Sequence, residues 1–170
     1  SPGVTTGNSM MVNLGSFTFV DGVTYNMVAT GTAPNGATDG KPSNNSFSTS
    51  ADPALNGTFT VNSAQPTAGL NFNSLADMSR ELSARGVCGP VVINVVANSG
   101  PYTEQITLSE LRGVSSTNTV TINGNGNKIV HNGNSANRVA VLLQGSDWVT
   151  IDNFDIDLSG GSAGYGIILT

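Results

Sequence analysis

Asp152, Asp155 and Asp157 are the densest set of hard oxygen ligands in the chain. Carboxylate oxygens in such a set suit Ca²⁺. In an extended strand Asp155 and Asp157 share one face, with Asp152 at the preceding corner. Alternation with Phe154, Ile156 and Leu158 is equally what any half-exposed strand shows, and a solvated face is the reading favoured here. A second group, Lys128, His131 and Arg138, would supply a base and a partner for a carboxylate. His131 is the sole histidine. Lys128 stands three residues before it, so in a strand the two side chains point to opposite faces. A polar position on a strand or at a turn is therefore preferred to catalysis.

Other chemistries find less. A glycoside hydrolase needs two carboxylates converging on one bond, and only stacking of strands would pair Asp152 with Asp155. One histidine among many serines does not define a Ser-His-Asp set. Gly124-Asn125-Gly126-Asn127 lacks the following helix that a phosphate loop requires. The amide-rich tract Asn123, Asn125, Asn127, Asn132, Asn134 and Asn137 has two uses. The preferred one is to satisfy backbone groups at strand corners. The other is a glycan-facing surface in which Asn125 and Asn127 bond sugar hydroxyls while Trp148 or Tyr165 stacks on a ring. Trp148 serves equally well as a packing residue.

The elements that position these residues are mostly strands. Only 10% of the 170 residues are charged, against about 25% in ordinary domains. Polarity comes from Asn, Ser, Thr and 21 Gly, whose short side chains suit turns and exposed strand faces. Net charge is −5 and the pI about 4.4, with six basic residues scattered among eleven acidic ones. That balance excludes a basic nucleic-acid surface. No apolar run approaches the roughly 20 residues of a bilayer-spanning helix, so membrane insertion is not expected. The chain opens Ser1-Pro2-Gly3 without Met or a leader, which reads as a mature or excised fragment. Cys88 is alone and reads as a small buried hydrophobe.

Residues 1–56 read as a β-rich segment, or the end of a preceding domain with a linker. Met10 to Leu14 is one β-like run. Phe17 to Val20 and Val23 to Val28 flank Asp21-Gly22, the signature of a hairpin. Gly31 to Asn56 reads as loop. From Gly57 to Asn62 the pattern alternates cleanly. A helix is then predicted over Ser74 to Arg85: Ser74 is the N-cap with Asp77 completing a capping-box-like arrangement, and Gly86 ends it. Leu75, Met78 and Leu82 lie on one face, Arg80, Glu81 and Arg85 largely on the other.

Beyond Gly89-Pro90 short strands follow in quick succession: Val91 to Val96, Tyr102 to Leu108, Val120 to Ile122, Lys128 to Val130, Val139 to Leu143, Val149 to Ile151, Phe154 to Leu158 and Ile167 to Leu169. Val120-Thr121-Ile122-Asn123 recurs 29 residues later as Val149-Thr150-Ile151-Asp152. A recurring strand, polar corner and strand predicts stacked rungs. Val120, Ile122, Val149, Ile151, Phe154, Ile156 and Leu158 then point inward, and Thr121, Thr150, Asp155 and Asp157 outward. The expected fold class is all-β: a parallel β-helix over 57–170 with an N-terminal capping α-helix, cut before its end.

Gly57-Thr58-Phe59-Thr60-Val61, the Ser74 to Arg85 helix, Gly86-Val87-Cys88-Gly89-Pro90-Val91-Val92-Ile93-Asn94-Val95, Gly100-Pro101-Tyr102-Thr103-Glu104-Gln105-Ile106 and Thr117-Asn118-Thr119-Val120-Thr121-Ile122 together resemble a group of secreted surface proteins of Bacteroidota. The similarity covers about Gly57 to Thr170. It implies the opening of a pectin-lyase-like right-handed parallel β-helix in a long multidomain protein exported by the type IX system to the cell surface. Such scaffolds often carry polysaccharide lyases, which neutralise a uronate carboxylate with Ca²⁺ or a cationic side chain and remove the α proton with Lys, Arg or His. A shared scaffold does not fix one chemistry. The leading expectation is a non-catalytic segment, adhesin-like or glycan-interacting, without a cofactor. The alternatives are a Ca²⁺-dependent polysaccharide lyase or glycoside hydrolase of that class, and a cargo fragment held by a secretion or surface-assembly partner in the outer membrane.

Overall fold

The computed structural model describes residues 11, 13, 15–20, 22–31, 38 and 40–170. Strands β1 (Tyr25–Thr30) and β2 (Ser46–Ala51) come first, with a short 3₁₀ turn at Pro42–Asn44 between them. Then follow β3 (Leu55–Val61), β4 (Asn71–Phe72), the α-helix α1 (Leu75–Arg85) and β5 (Val87–Val95). Seven more strands complete the chain: β6 (Ile106–Ser109), β7 (Val120–Asn123), β8 (Lys128–Val130), β9 (Val139–Gln144), β10 (Val149–Asp152), β11 (Asp155–Asp157) and β12 (Tyr165–Leu169). The fold is strand-rich, and most of its sheets are parallel.

Parallel pairing links strands far apart in sequence. The first sheet runs β10-β7-β5-β3-β4, the second β11-β8 and the third β12-β9-β6. The chain visits the three sheets in order through β7, β8 and β9, then again through β10, β11 and β12. The 29-residue echo is the register itself: Val149 stands opposite Val120, Thr150 opposite Thr121, Ile151 opposite Ile122 and Asp152 opposite Asn123. Phe59, Ile93 and Ile122 form one inward column above Ile151, and all three are fully buried. Each such side chain removed from water contributes about 1.5–3 kcal/mol. The core is therefore a set of columns, because alternation sends every second residue inward and the parallel register stacks like on like.

The helix forms as its signals predict. Ser74 Oγ accepts the Asp77 N–H at 3.0 Å, and Gly86 ends the helix with φ 66°. The reciprocal half of the capping box is replaced. Asp77 Oδ2 accepts the Thr67 hydroxyl at 2.6 Å and Oδ1 pairs with Arg80, while Glu104 Oε2 reaches from the loop before β6 to accept the Leu75 N–H at 3.0 Å. Leu75, Met78 and Leu82 are fully buried, and α1 packs against β3, β4 and β6. An 11-residue helix would be marginal without that partner. Arg85 departs from the polar face. Its side chain is mostly covered, and Nε donates to the Pro53 carbonyl at 2.7 Å.

Several expectations are corrected. The partner of β1 is β2, antiparallel from Tyr25–Ala51 to Thr30–Ser46, and Phe17 to Val20 are not in a strand. Phe17 and Phe19 pack their rings edge-on against Tyr25 instead. Asp21 of the expected turn, and Met10, Val12 and Leu14 of the first run, lie outside the described residues. Gly31 to Asn56, expected as loop, holds β2 and the start of β3; with Phe47 its one large apolar residue, β2 gives little apolar signal. The strand expected at Val91 begins at Val87. Its register against β3 shifts between Leu55 and Gly57, and that irregularity accommodates Pro90, which has no N–H for the ladder. Tyr102 makes only an isolated bridge to Ile129, ahead of β6. Cys88 is exposed, not buried, because Val87 takes the inward position and alternation turns the next residue out.

Candidate functional site

On the outer face of the second sheet, β11 lies parallel to β8 with Asp155 opposite Lys128 and Asp157 opposite Val130. Lys128 Nζ is 3.3 Å from Asp155 Oδ2 and 3.5 Å from Asp157 Oδ2. The two carboxylates raise the Lys128 pKa, Asp155 more than Asp157, so the amine stays protonated and is poorly suited to take a proton. The Asp157 pKa is lowered, first by its hydrogen bond from Ser159 and then by Lys128. Asp152 belongs to the first sheet and is exposed there. The three aspartates are thus divided between two sheets. Among the described residues no three His, Cys, Asp or Glu side chains come together as a metal site.

Lys128, His131 and Arg138 do not share a site either. His131 is buried, its N–H donates to the Asp157 carbonyl at 2.8 Å, and Nε2 lies 3.3 Å from the Asn137 carbonyl. Arg138 is exposed and donates from Nε to the Ser135 carbonyl at 3.2 Å. The opposite faces expected of Lys128 and His131 are those observed.

Asn127 and Asn125 hold a corner. Asn127 is buried. Its Nδ2 donates to the Val96 and Gly124 carbonyls at 2.9 and 2.8 Å, and its Oδ1 accepts the Gly100 N–H at 3.0 Å. Asn125 adopts φ 49° and donates to the Val95 carbonyl at 2.7 Å. These amides join neighbouring circuits of the chain, and Asn127 has no donor left for a ligand.

The outer side of the first sheet carries aligned rows of exposed and half-buried residues. One aligned row is Thr58, Val92, Thr121 and Thr150; the next is Thr60, Asn94, Asn123 and Asp152. Rows recur at about 4.8 Å, the spacing of neighbouring strands. Thr58, Thr60, Val92 and Asn94 were not singled out from the sequence. The alternation of β3 and β5 together with the echo would have located them. Trp148 immediately precedes β10 at this sheet's last corner, with its ring 53% exposed. Its φ of 57° is rare for a bulky residue, and its carbonyl accepts the Val120 N–H at 3.0 Å. Tyr165, equally exposed, opens β12 in the third sheet, so the two aromatic rings serve different faces. The sheet face offers hydroxyls, amides and one carboxylate, groups suited to bonding sugar hydroxyls, and the exposed Trp148 stands in the residue before its strand β10. No family model, curated protein or solved structure matches the chain.

Proposed function

We propose that the chain is a non-catalytic segment of a right-handed parallel β-helix in a large secreted protein of the bacterial cell surface, adhesin-like and glycan-interacting. Parallel, in-register pairing in three sheets visited in the same order supports the β-helix. The right hand follows from the strong preference of parallel crossovers. The observation that carries the functional reading is the aligned Thr and Asn face of the first sheet, with the exposed Trp148 in the residue just before β10. A separated acid-base set favours binding over turnover: His131 is buried and Lys128 is ion-paired.

The test is a glycan array probed with the chain and with Trp148→Ala. Binding that Trp148→Ala weakens by about tenfold supports the reading, since a well-placed ring contact contributes about 0.5–1.5 kcal/mol beyond the area it buries. An array without a hit, or hits indifferent to Trp148→Ala, would sink the glycan role.

A further inference from the structure

Thr24 stands just before β1 and Asp52 just after β2, so both lie at the same end of that antiparallel pair. Glu81 and Arg85 face them from α1 across a cavity of about 200 Å³, which Thr67 and Asn71 also line. Gly22 marks where the two sides meet. Its φ is 72°, and a Cβ there would lie 2.9 Å from the Gly69 carbonyl carbon and oxygen, so the chain before β1 rests directly on the loop before β4. Asn71 belongs to β4, at the edge of the first sheet opposite β10. The cavity and Trp148 therefore lie at opposite edges of that sheet.

Part of the lining is already committed. Thr67 donates to Asp77 and accepts the Asn73 N–H, while Asn71 bonds Thr60 and the carbonyls of Asn62, Gln65 and Pro66. The charged groups are not. Arg85 gives Nε to the Pro53 carbonyl, but its Nη1 is 4.0 Å from Glu81 Oε2, beyond hydrogen-bond length, and its Nη2 is buried without a partner. Asp52 holds the Thr24 hydroxyl on Oδ1 at 2.6 Å, and among the described residues nothing bonds its Oδ2. A ligand here must bring acceptors to a guanidinium and donors to carboxylates at once, and hydroxyls do both. Two carboxylates disfavour an anion such as a uronate, and the guanidinium disfavours an ammonium. The volume is below the roughly 300–1,000 Å³ of drug-sized sites and suits one ring. We propose that this cavity binds one neutral hexose ring, with Arg85 donating to its hydroxyls and Asp52 and Glu81 accepting from them. The site stands independently of the Trp148 face and of the β-helix reading.

The test is an NMR titration of the full chain with the methyl glycosides of glucose, galactose and mannose, and with galacturonate and glucosamine as charged counterparts. A neutral glycoside should bind and move the backbone amide signals of Thr24, Asp52, Glu81 and Arg85. Both charged sugars should bind several-fold more weakly. Asp52→Ala changes an exposed residue. It should weaken binding about tenfold, because a hydrogen bond to a charged group is lost, and leave Tm near that of the parent. Glu81→Gln, as a second variant, should weaken binding several-fold, and Trp148→Ala should leave it unchanged. Binding of none of the neutral glycosides would overturn the site. So would tighter binding of galacturonate or glucosamine, or a neutral sugar whose affinity ignores Asp52→Ala and Glu81→Gln or falls with Trp148→Ala.

Discussion

Asp155 stands directly opposite Lys128 in the parallel register of β11 and β8, with its Oδ2 3.3 Å from the lysine Nζ. The pair joins one circuit of the chain to the next on the outside of the stack. Exposed pairs of this kind are screened by solvent, so Lys128→Gln should leave the unfolding midpoint nearly unchanged. The informative readout is titration. NMR should find Asp157 below its ordinary pKa in the native chain, and Lys128→Gln should raise it only in part, because Ser159, through its side chain first and its N–H at 2.9 Å second, is the larger cause. A full return to the ordinary value would contradict this order of causes.

The α1 N-terminus predicts an acid limb of stability. Asp77 is held below its ordinary value, first by the Thr67 hydroxyl and also by Arg80, against some desolvation. A depressed folded pKa adds stability that is fully present above about pH 4 and is lost as pH falls through the folded value. Thr67→Val should therefore reduce stability at neutral pH and flatten its fall below pH 4. Ser74→Ala should cost about 1 kcal/mol at neutral pH by removing the N-cap. Urea unfolding at pH 7 and pH 3 measures both.

Asn127→Ala would leave the Gly100 N–H without its partner, while the Val96 carbonyl keeps Ser99 and the Gly124 carbonyl keeps the residue 127 N–H. A buried group left unsatisfied costs about 1–3 kcal/mol. The expected loss is about 1–3 kcal/mol by chemical denaturation, with Asn125→Ala costing less because that residue is exposed. Equal losses would show that the corner does not depend on burial.

Cys88 faces outward with Sγ 3.5 Å from the Ala54 carbonyl. Native protein should react with a thiol reagent without denaturant, at a rate close to that of the unfolded chain. Protection by a factor of 100 or so, as a rough mark of a group that must await unfolding, would place it inside.

Trp148 holds a left-handed backbone conformation that glycine adopts without a steric penalty. Trp148→Gly should thus leave stability unchanged or raise it by up to about 1 kcal/mol, while weakening glycan binding. Destabilisation by several kcal/mol would mean that the indole packs to hold the corner.

Much of the fold is legible in the residues. Ser74, Asp77 and Gly86 bracket α1 through local hydrogen bonds and backbone preference, which need no distant partner. The recurrence of Val-Thr-Ile sets a register that pairs Val120 with Val149. The N-terminal half is less legible for the same reason in reverse. In β2, Ser46-Phe47-Ser48-Thr49-Ser50-Ala51, a single large apolar residue gives too little contrast to mark a strand, and its partner β1 lies beyond a long connection. The outward turn of Cys88 depends on where β5 begins, and that is set by pairing with β3 across the shift opposite Pro90.

The sequence by itself determined the helix, the period and the inward columns, because propensity, capping and two-residue alternation act over a few neighbours. Tertiary structure decided which sheet each residue serves. It divided Asp152 from Asp155 and Asp157, gave both of the latter to Lys128, buried His131, and committed the Asn127 amide to the backbone. Each of these follows from the angle at a corner and the register of a strand many residues away. Such contacts are set by stacking between circuits and leave no mark in local spacing.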